Sequence, residues 1–468
     1  MPQPTVTSNV PTSPTPSPPP DTGLAQMVAT TPASRDRYVD FLRGLAIAMV
    51  AIGHWLVVVP GYADGNFDGV NALGTVPLMR WLSWAFQVMP LFFMVGGYAN
   101  ALSWSSAQRR GERWSTWART RFGRLMRPTV VFLAFWVVLA LVARQLGVDP
   151  HLVHTMAWLV VVPLWFLAVY VVIVALAPPM LWLHERIGLV VLLALVVAAA
   201  VVDVGRIHFG LEAVAYLNFL FVFGYCQQLG FFWRDGRLTT RTWWPPAMLG
   251  AGVTALWLLT HVGPYPISMV GVPGEPIANS APPTVTFVAL GLAQAGLVLL
   301  LRRPMDRWLQ RPRVWASVIG VNAHAMTIHL WHFTALVAVA VVVLPWNIVP
   351  VFESGSVAWW ASRWAVLPVL SIPLIALVAV FGRFERRPAR PRVTTGHPAV
   401  HAAATVAAVP CLSVGFTLVT LNGLSIESVP TGFPIWSVTL LVVGLGLLRL
   451  GERSAEPRVD ESDGISQA

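Results

Sequence analysis

Asp40-Phe41-Leu42-Arg43-Gly44-Leu45-Ala46-Ile47-Ala48-Met49-Val50-Ala51-Ile52-Gly53-His54 opens an apolar segment, about 39–59, long enough to cross a bilayer as a helix. At 100° per residue, the steps from Arg43 to His54 make three turns plus roughly 20°, so both side chains leave one face, about 16 Å apart along the axis. A cation near the membrane boundary and an imidazole inside the apolar slab are costly to keep there, and such groups mark an internal cavity or a site. Asp40 precedes Arg43 by three residues and can pair with it. The competing reading is that Arg43 snorkels to the interface and marks topology.

Segments of this kind recur outward from the first. The chain has 468 residues, 56% hydrophobic and 11% charged, where a soluble domain carries about a quarter charged residues. Twelve segments are predicted to span a membrane: 39–59, 82–103, 127–145, 156–180, 186–203, 212–232, 243–262, 284–301, 314–344, 358–381, 402–422 and 433–449. The expected fold is therefore all-α, a polytopic transmembrane helical bundle of about 12 helices. The net charge of +10 comes wholly from arginine. With the amino terminus inside, all but Arg80, Arg144, Arg206 and Arg363 fall on one side, so both termini are expected in the cytoplasm and the chain in the plasma membrane. That distribution accounts for the charge without a nucleic-acid partner. Cys226 and Cys411 lie near predicted cytoplasmic helix ends, where a disulfide does not persist and both read as small apolar side chains. No metal-ligand spacing occurs, so no metal is expected.

The expected organisation is a Pro/Ser/Thr-rich disordered tail at 1–34 without a signal peptide, a membrane domain at 35–385, a basic loop with two further spans at 386–451, and a disordered tail at 452–468. No internal repeat is evident. The polar outside loop at 60–79 reads as a solvated link or a cover over a cavity mouth. In 82–103, Pro90 is expected to bend the helix, and Gly96 and Gly97 to allow close packing. The most basic loop holds Arg109, Arg110, Arg113, Arg119, Arg121, Arg124 and Arg127. Arg121 and Arg124, one turn apart, suit phosphate oxygens, while the cluster as a whole suits anionic headgroups. Glu212, Asn218, Gln227, Gln228 and Gln294 are polar within apolar runs and read as interhelical hydrogen bonds. Asn322, His324, His329 and His332 crowd the long segment 314–344, with spacings that do not put all three imidazoles on one face.

Five elements occur in an order that resembles the membrane-bound acyltransferase 3 family of O-acyltransferases over about 37–385: Asp40-x-x-Arg43-Gly44 with His54; Pro90-Leu91-Phe92-Phe93-x-x-x-Gly97-Tyr98; Arg121-x-x-Arg124-Leu125-x-x-Pro128; Leu164-Trp165-Phe166-Leu167-x-x-Tyr170; and His332. At the last, the family has Tyr-Leu-x-His and this chain has His329 in place of the tyrosine. Asn279-Ser280-Ala281-Pro282-Pro283-Thr284 resembles an element of one branch. The resemblance implies transfer of an acyl group, usually acetyl from cytosolic acetyl-CoA, to a hydroxyl of a carbohydrate, lipid-linked sugar or secondary metabolite, with no permanently bound cofactor. It implies CoA contacts at Arg121 and Arg124, with Arg124 and Arg127 a competing register. The residues fit that chemistry: His54 takes the hydroxyl proton or carries the acyl group covalently, Arg43 oriented by Asp40 holds the donor or polarises the site, and Trp165, Tyr170 and His332 line the cavity. The rival reading is a multi-pass transporter with a buried Arg/His ion-coupled site.

Overall fold

A computed structural model describes residues 31–32, 35–63, 66–346, 350, 352–386, 392–394, 397–426, 428–429, 432–450 and 452–454. Both predicted tails, at 1–34 and 452–468, lie almost wholly outside them. Asp36 accepts from the Tyr38 and Val39 N–H groups and so starts α1, Arg37–Val57. The valines that follow favour extended backbone, and the chain leaves α1 into β1, Val58–Ala63, paired antiparallel with β2, Asn66–Asn71. Helices follow: α2 (Pro77–Phe86), α3 (Met89–Arg109), α4 (Trp114–Gln145), α5 (Pro150–Val161), α6 (Trp165–Phe209), α7 (Asn218–Arg234), α8 (Trp244–His261), α9 (Val285–Trp308), α10 (Pro312–Ala323), α11 (Ala325–Val343) and α12 (Val357–Arg386). After β3 (Arg392–Thr394) come α13 (Pro398–Asn422) and α14 (Ile435–Arg449), and β4 (Glu452–Ser454) pairs back onto β3. Eight helical stretches among the described residues are long and apolar enough to cross a membrane. One of them, Pro150–Phe209, holds two predicted spans, on either side of a kink at Ile187. The predicted spans on α7, α8 and α14 are helical but shorter or less apolar. The chain is a polytopic helical membrane protein.

Two breaks within predicted spans are held by side chains from other helices. Segment 82–103 was expected to run through Pro90, bent; instead α2 ends at Phe86 and α3 begins at Met89, with Pro90 in its first turn, where a missing N–H leaves no bond unmade. Gln294 of α9 seals the gap: its Oε1 accepts from the Leu91 N–H (3.0 Å) and its Nε2 donates to the Gln87 carbonyl (2.8 Å). Segment 314–344 parts at His324, whose ring bonds the Gly320 carbonyl (2.9 Å). The Glu385 carboxylate of α12 then accepts the Met326 and Thr327 N–H groups and caps α11 from a neighbouring helix.

Close packing follows along α3. Gly97 and Gly230 let α3 and α7 touch through their backbones; a Cβ on Gly97 would lie 2.2 Å from the Gln227 carbonyl oxygen. Gly96 faces the Tyr170 ring instead. Asn100 donates to Gln227 (3.1 Å) across this contact. Arg119, expected with the basic cluster at anionic lipid headgroups, is 6% exposed. Its guanidinium donates to the Thr405 hydroxyl (2.8 Å) and the His401 and Leu450 carbonyls (3.1 and 2.9 Å), tying α4 to α13 and the end of α14. Cys226 and Cys411 are free thiols.

Candidate active site

His54 sits in the last turn of α1, which packs against α3, α10 and α11. His332 comes from α11, and its Nε2 lies 2.9 Å from His54 Nδ1, the ring planes within 10° of parallel. His332 Nδ1 lies 2.7 Å from the His329 carbonyl. A carbonyl only accepts, so Nδ1 of His332 carries the proton and its Nε2, in the neutral ring, carries a lone pair. That lone pair accepts from His54 Nδ1–H, which leaves His54 Nε2 as the unprotonated nitrogen. The Trp55 indole donates to the His332 carbonyl (2.9 Å), and Phe333 packs on the His54 ring at 4.9 Å. His332 is wholly buried, whereas His54 is partly accessible.

The accessible side of His54 faces a cavity of about 800 Å³, walled by α1, α2, α6, the start of α7, the loop before α9, and α13. Its lining is mostly apolar, with Phe86, Trp165, Phe166 and Phe219 among the rings. His329, one turn before His332, also lines it; its Nε2 is buried without a hydrogen-bond partner. Trp158, Tyr216, Leu217, Ala281 and Leu421 are the exposed lining residues, so the cavity opens between α5, the turn before α7, the loop before α9 and the end of α13.

A second constellation lies three turns along α1. Arg43 donates from Nε to Asn322 Oδ1 (2.7 Å) and from Nη2 to Asp40 Oδ1 (3.1 Å), while Asn322 Nδ2 donates to the Asp40 carbonyl (2.8 Å). Arg35 also pairs with Asp40. Arg121 stacks over Trp117, its centre 5.0 Å from the ring, and donates to the Ala99 carbonyl (3.3 Å); its Nε is buried without a partner. It lies within electrostatic range of Arg43, Arg124 and Tyr170. Arg124 is exposed.

The fold therefore brings Arg43 to Asp40, and His54 to His332, and keeps the two groups apart. Arg43, Arg121 and Arg124 do not line the cavity; nor do Tyr170 and His332. Trp165 does, and Tyr170 forms the layer behind it with Phe92, Phe93 and Phe166. Sequence spacing did not single out Asn322 as the partner of Arg43 or His329 as a lining residue, although the interval of three between His329 and His332 puts both on one helix face. Asp203 escaped it entirely. Buried in α6, Asp203 accepts from Asn218 (2.8 Å), the Tyr265 hydroxyl (2.9 Å) and the Val285 N–H (2.8 Å), and so holds the loop before α9. Asn279 pins that loop by donating to the Pro266 and Ser268 carbonyls, which brings Ser280 and Ala281 to the cavity wall.

A family model described as an acyltransferase domain matches residues 36–383. No curated protein and no solved structure matches the chain.

Proposed function

The chain belongs to the acyltransferase 3 family, and from that premise we propose that it transfers an acyl group, acetyl in the first instance, from acyl-CoA to a hydroxyl of a carbohydrate, glycolipid or secondary metabolite, with His54 as the base. The observation that carries this reading is the direction of the hydrogen bonds: the His329 carbonyl fixes His332, His332 fixes His54, and the lone pair of His54 Nε2 is left for a proton. The acceptor hydroxyl gives that proton to Nε2 as its oxygen bonds the thioester carbonyl carbon; the C–S bond then breaks and the thiolate takes the proton back from the imidazolium. A positioned base of this kind contributes about 10²–10⁴-fold in rate.

Arg43 serves the donor. Held by Asp40 and Asn322, it keeps its charge pointed along the same face as His54, toward the pantetheine and phosphates of CoA. Arg121 and Arg124 bind the phosphates from α4. The arginine-rich ends of the helices face the cytoplasm, where acyl-CoA is made, and the membrane is the plasma membrane. Thiol release from acetyl-CoA by membranes carrying the wild type or His54→Ala, with pooled sugar and glycolipid acceptors, tests the reading. Release that falls by about 10²-fold or more in the variant supports it. Equal release by both removes His54 from the chemistry, and none by either, with acceptors moved across vesicles instead, makes the protein a transporter.

A further inference from the structure

One wall of the cavity comes from outside the acyltransferase domain. Ser413, Thr417, Thr420 and Leu421 of α13 line it together with His54 and His329, although the matched domain ends at residue 383. Their spacing puts the three hydroxyls on one helix face. The Thr417 hydroxyl donates to the Ser413 carbonyl and the Thr420 hydroxyl to the Phe416 carbonyl, each at 2.9 Å. Both protons are thus used within the helix, and both oxygens keep lone pairs for the cavity. Across from them, His329 Nε2 is buried without a hydrogen-bond partner. Four polar atoms on this lining, on His54, His329, Thr417 and Thr420, therefore ask for hydrogen-bond partners, in a wall that is otherwise mostly rings and aliphatic chains.

We infer that α13 is the specificity wall for the acceptor, and that the acceptor is amphipathic: several hydroxyls along one edge, facing His54, His329 and α13, and an apolar body that fills the rest of the cavity and leaves between Trp158 and Leu421. A free sugar would leave the apolar wall uncovered, and an unsubstituted alcohol would leave the buried His329 nitrogen unpaired. The inference rests on His54 being the acyl-transfer base.

The test is photolabelling of the full-length protein in lipid nanodiscs with a dodecyl β-glucoside carrying a diazirine beside the sugar, followed by peptide mapping. Label is expected on α13 between Ser413 and Leu421, displaced by unlabelled dodecyl glucoside and not by methyl glucoside. Thr420→Trp, which fills the mouth, should lower that label at least fivefold; Thr417→Val, which keeps the shape and removes the hydroxyl, should lower it less. Label absent from α13, equal displacement by methyl glucoside, or displacement by palmitoyl-CoA in place of the glucoside overturns the inference, the last by giving the cavity to the donor. Labelling needs no turnover. Label on α13 without CoA release therefore defeats only the acyltransferase reading, and CoA release without that label defeats only this one.

Discussion

A histidine becomes a base through the nitrogen that its neighbours leave free, and for His54 that choice is made two residues away in space. His332 accepts from Nδ1 and is itself held by the His329 carbonyl, so in the proposed reaction His332 positions the base without touching substrate. Glutamine keeps an acceptor and a donor at one end of a side chain; leucine keeps neither. His332→Leu is expected to lower acyl transfer by about tenfold, the worth of one orienting hydrogen bond, and His332→Gln to lower it less. A merely structural role would instead make the two variants differ in thermal stability and not in turnover per folded molecule. Arg43 and His54 were legible as a pair because eleven residues bring a helix nearly back to the same face. Their partners were not: Asn322 and His332 are separated from them by 279 and 278 residues, and no local period reports a contact at that range.

At the scale of elements, apolar length located the spans, and what it missed was where helices stop. The break before α3 is sealed by Gln294 and the start of α11 by Glu385, each a side chain from another helix. Such ends carry no local signal, since the capping residue lies far away in sequence. Gln294 was visible as a polar residue in an apolar run, but not what it bonds. The small residues of α3 were legible as packing positions, and only the structure separates Gly97, against backbone, from Gly96, against the Tyr170 ring. Gly97→Ala must push α3 and α7 apart, at a cost of about 1–3 kcal/mol. Thermal unfolding in detergent should show Gly97→Ala clearly less stable than Gly96→Ala; equal stability would contradict the contact.

In the whole molecule, the membrane bundle follows from composition, and the acyltransferase resemblance from five short elements in order, while the part played by α13 and α14 was invisible. They lie past the matched domain, yet α13 packs on α4 and α6 and completes the cavity wall, and α14 packs on α13. Arg119 holds them: buried against the first turn of α13 and the last carbonyls of α14, it offsets the negative end of the α14 dipole. Arg119→Met takes a buried charged donor from the Leu450 carbonyl and the Thr405 hydroxyl, an expected loss of about 1–3 kcal/mol. Limited proteolysis should then cut between α12 and α13 faster than in the wild type, and an unchanged rate would reduce Arg119 to a topological charge. The central claim remains the base. The measurement that tests it most directly is acetyl transfer by purified His54→Ala protein in nanodiscs, with and without added imidazole, at matched folding. The account predicts a loss of about 10²-fold or more, partly restored as imidazole enters the cavity. Wild-type activity in His54→Ala without imidazole would contradict it.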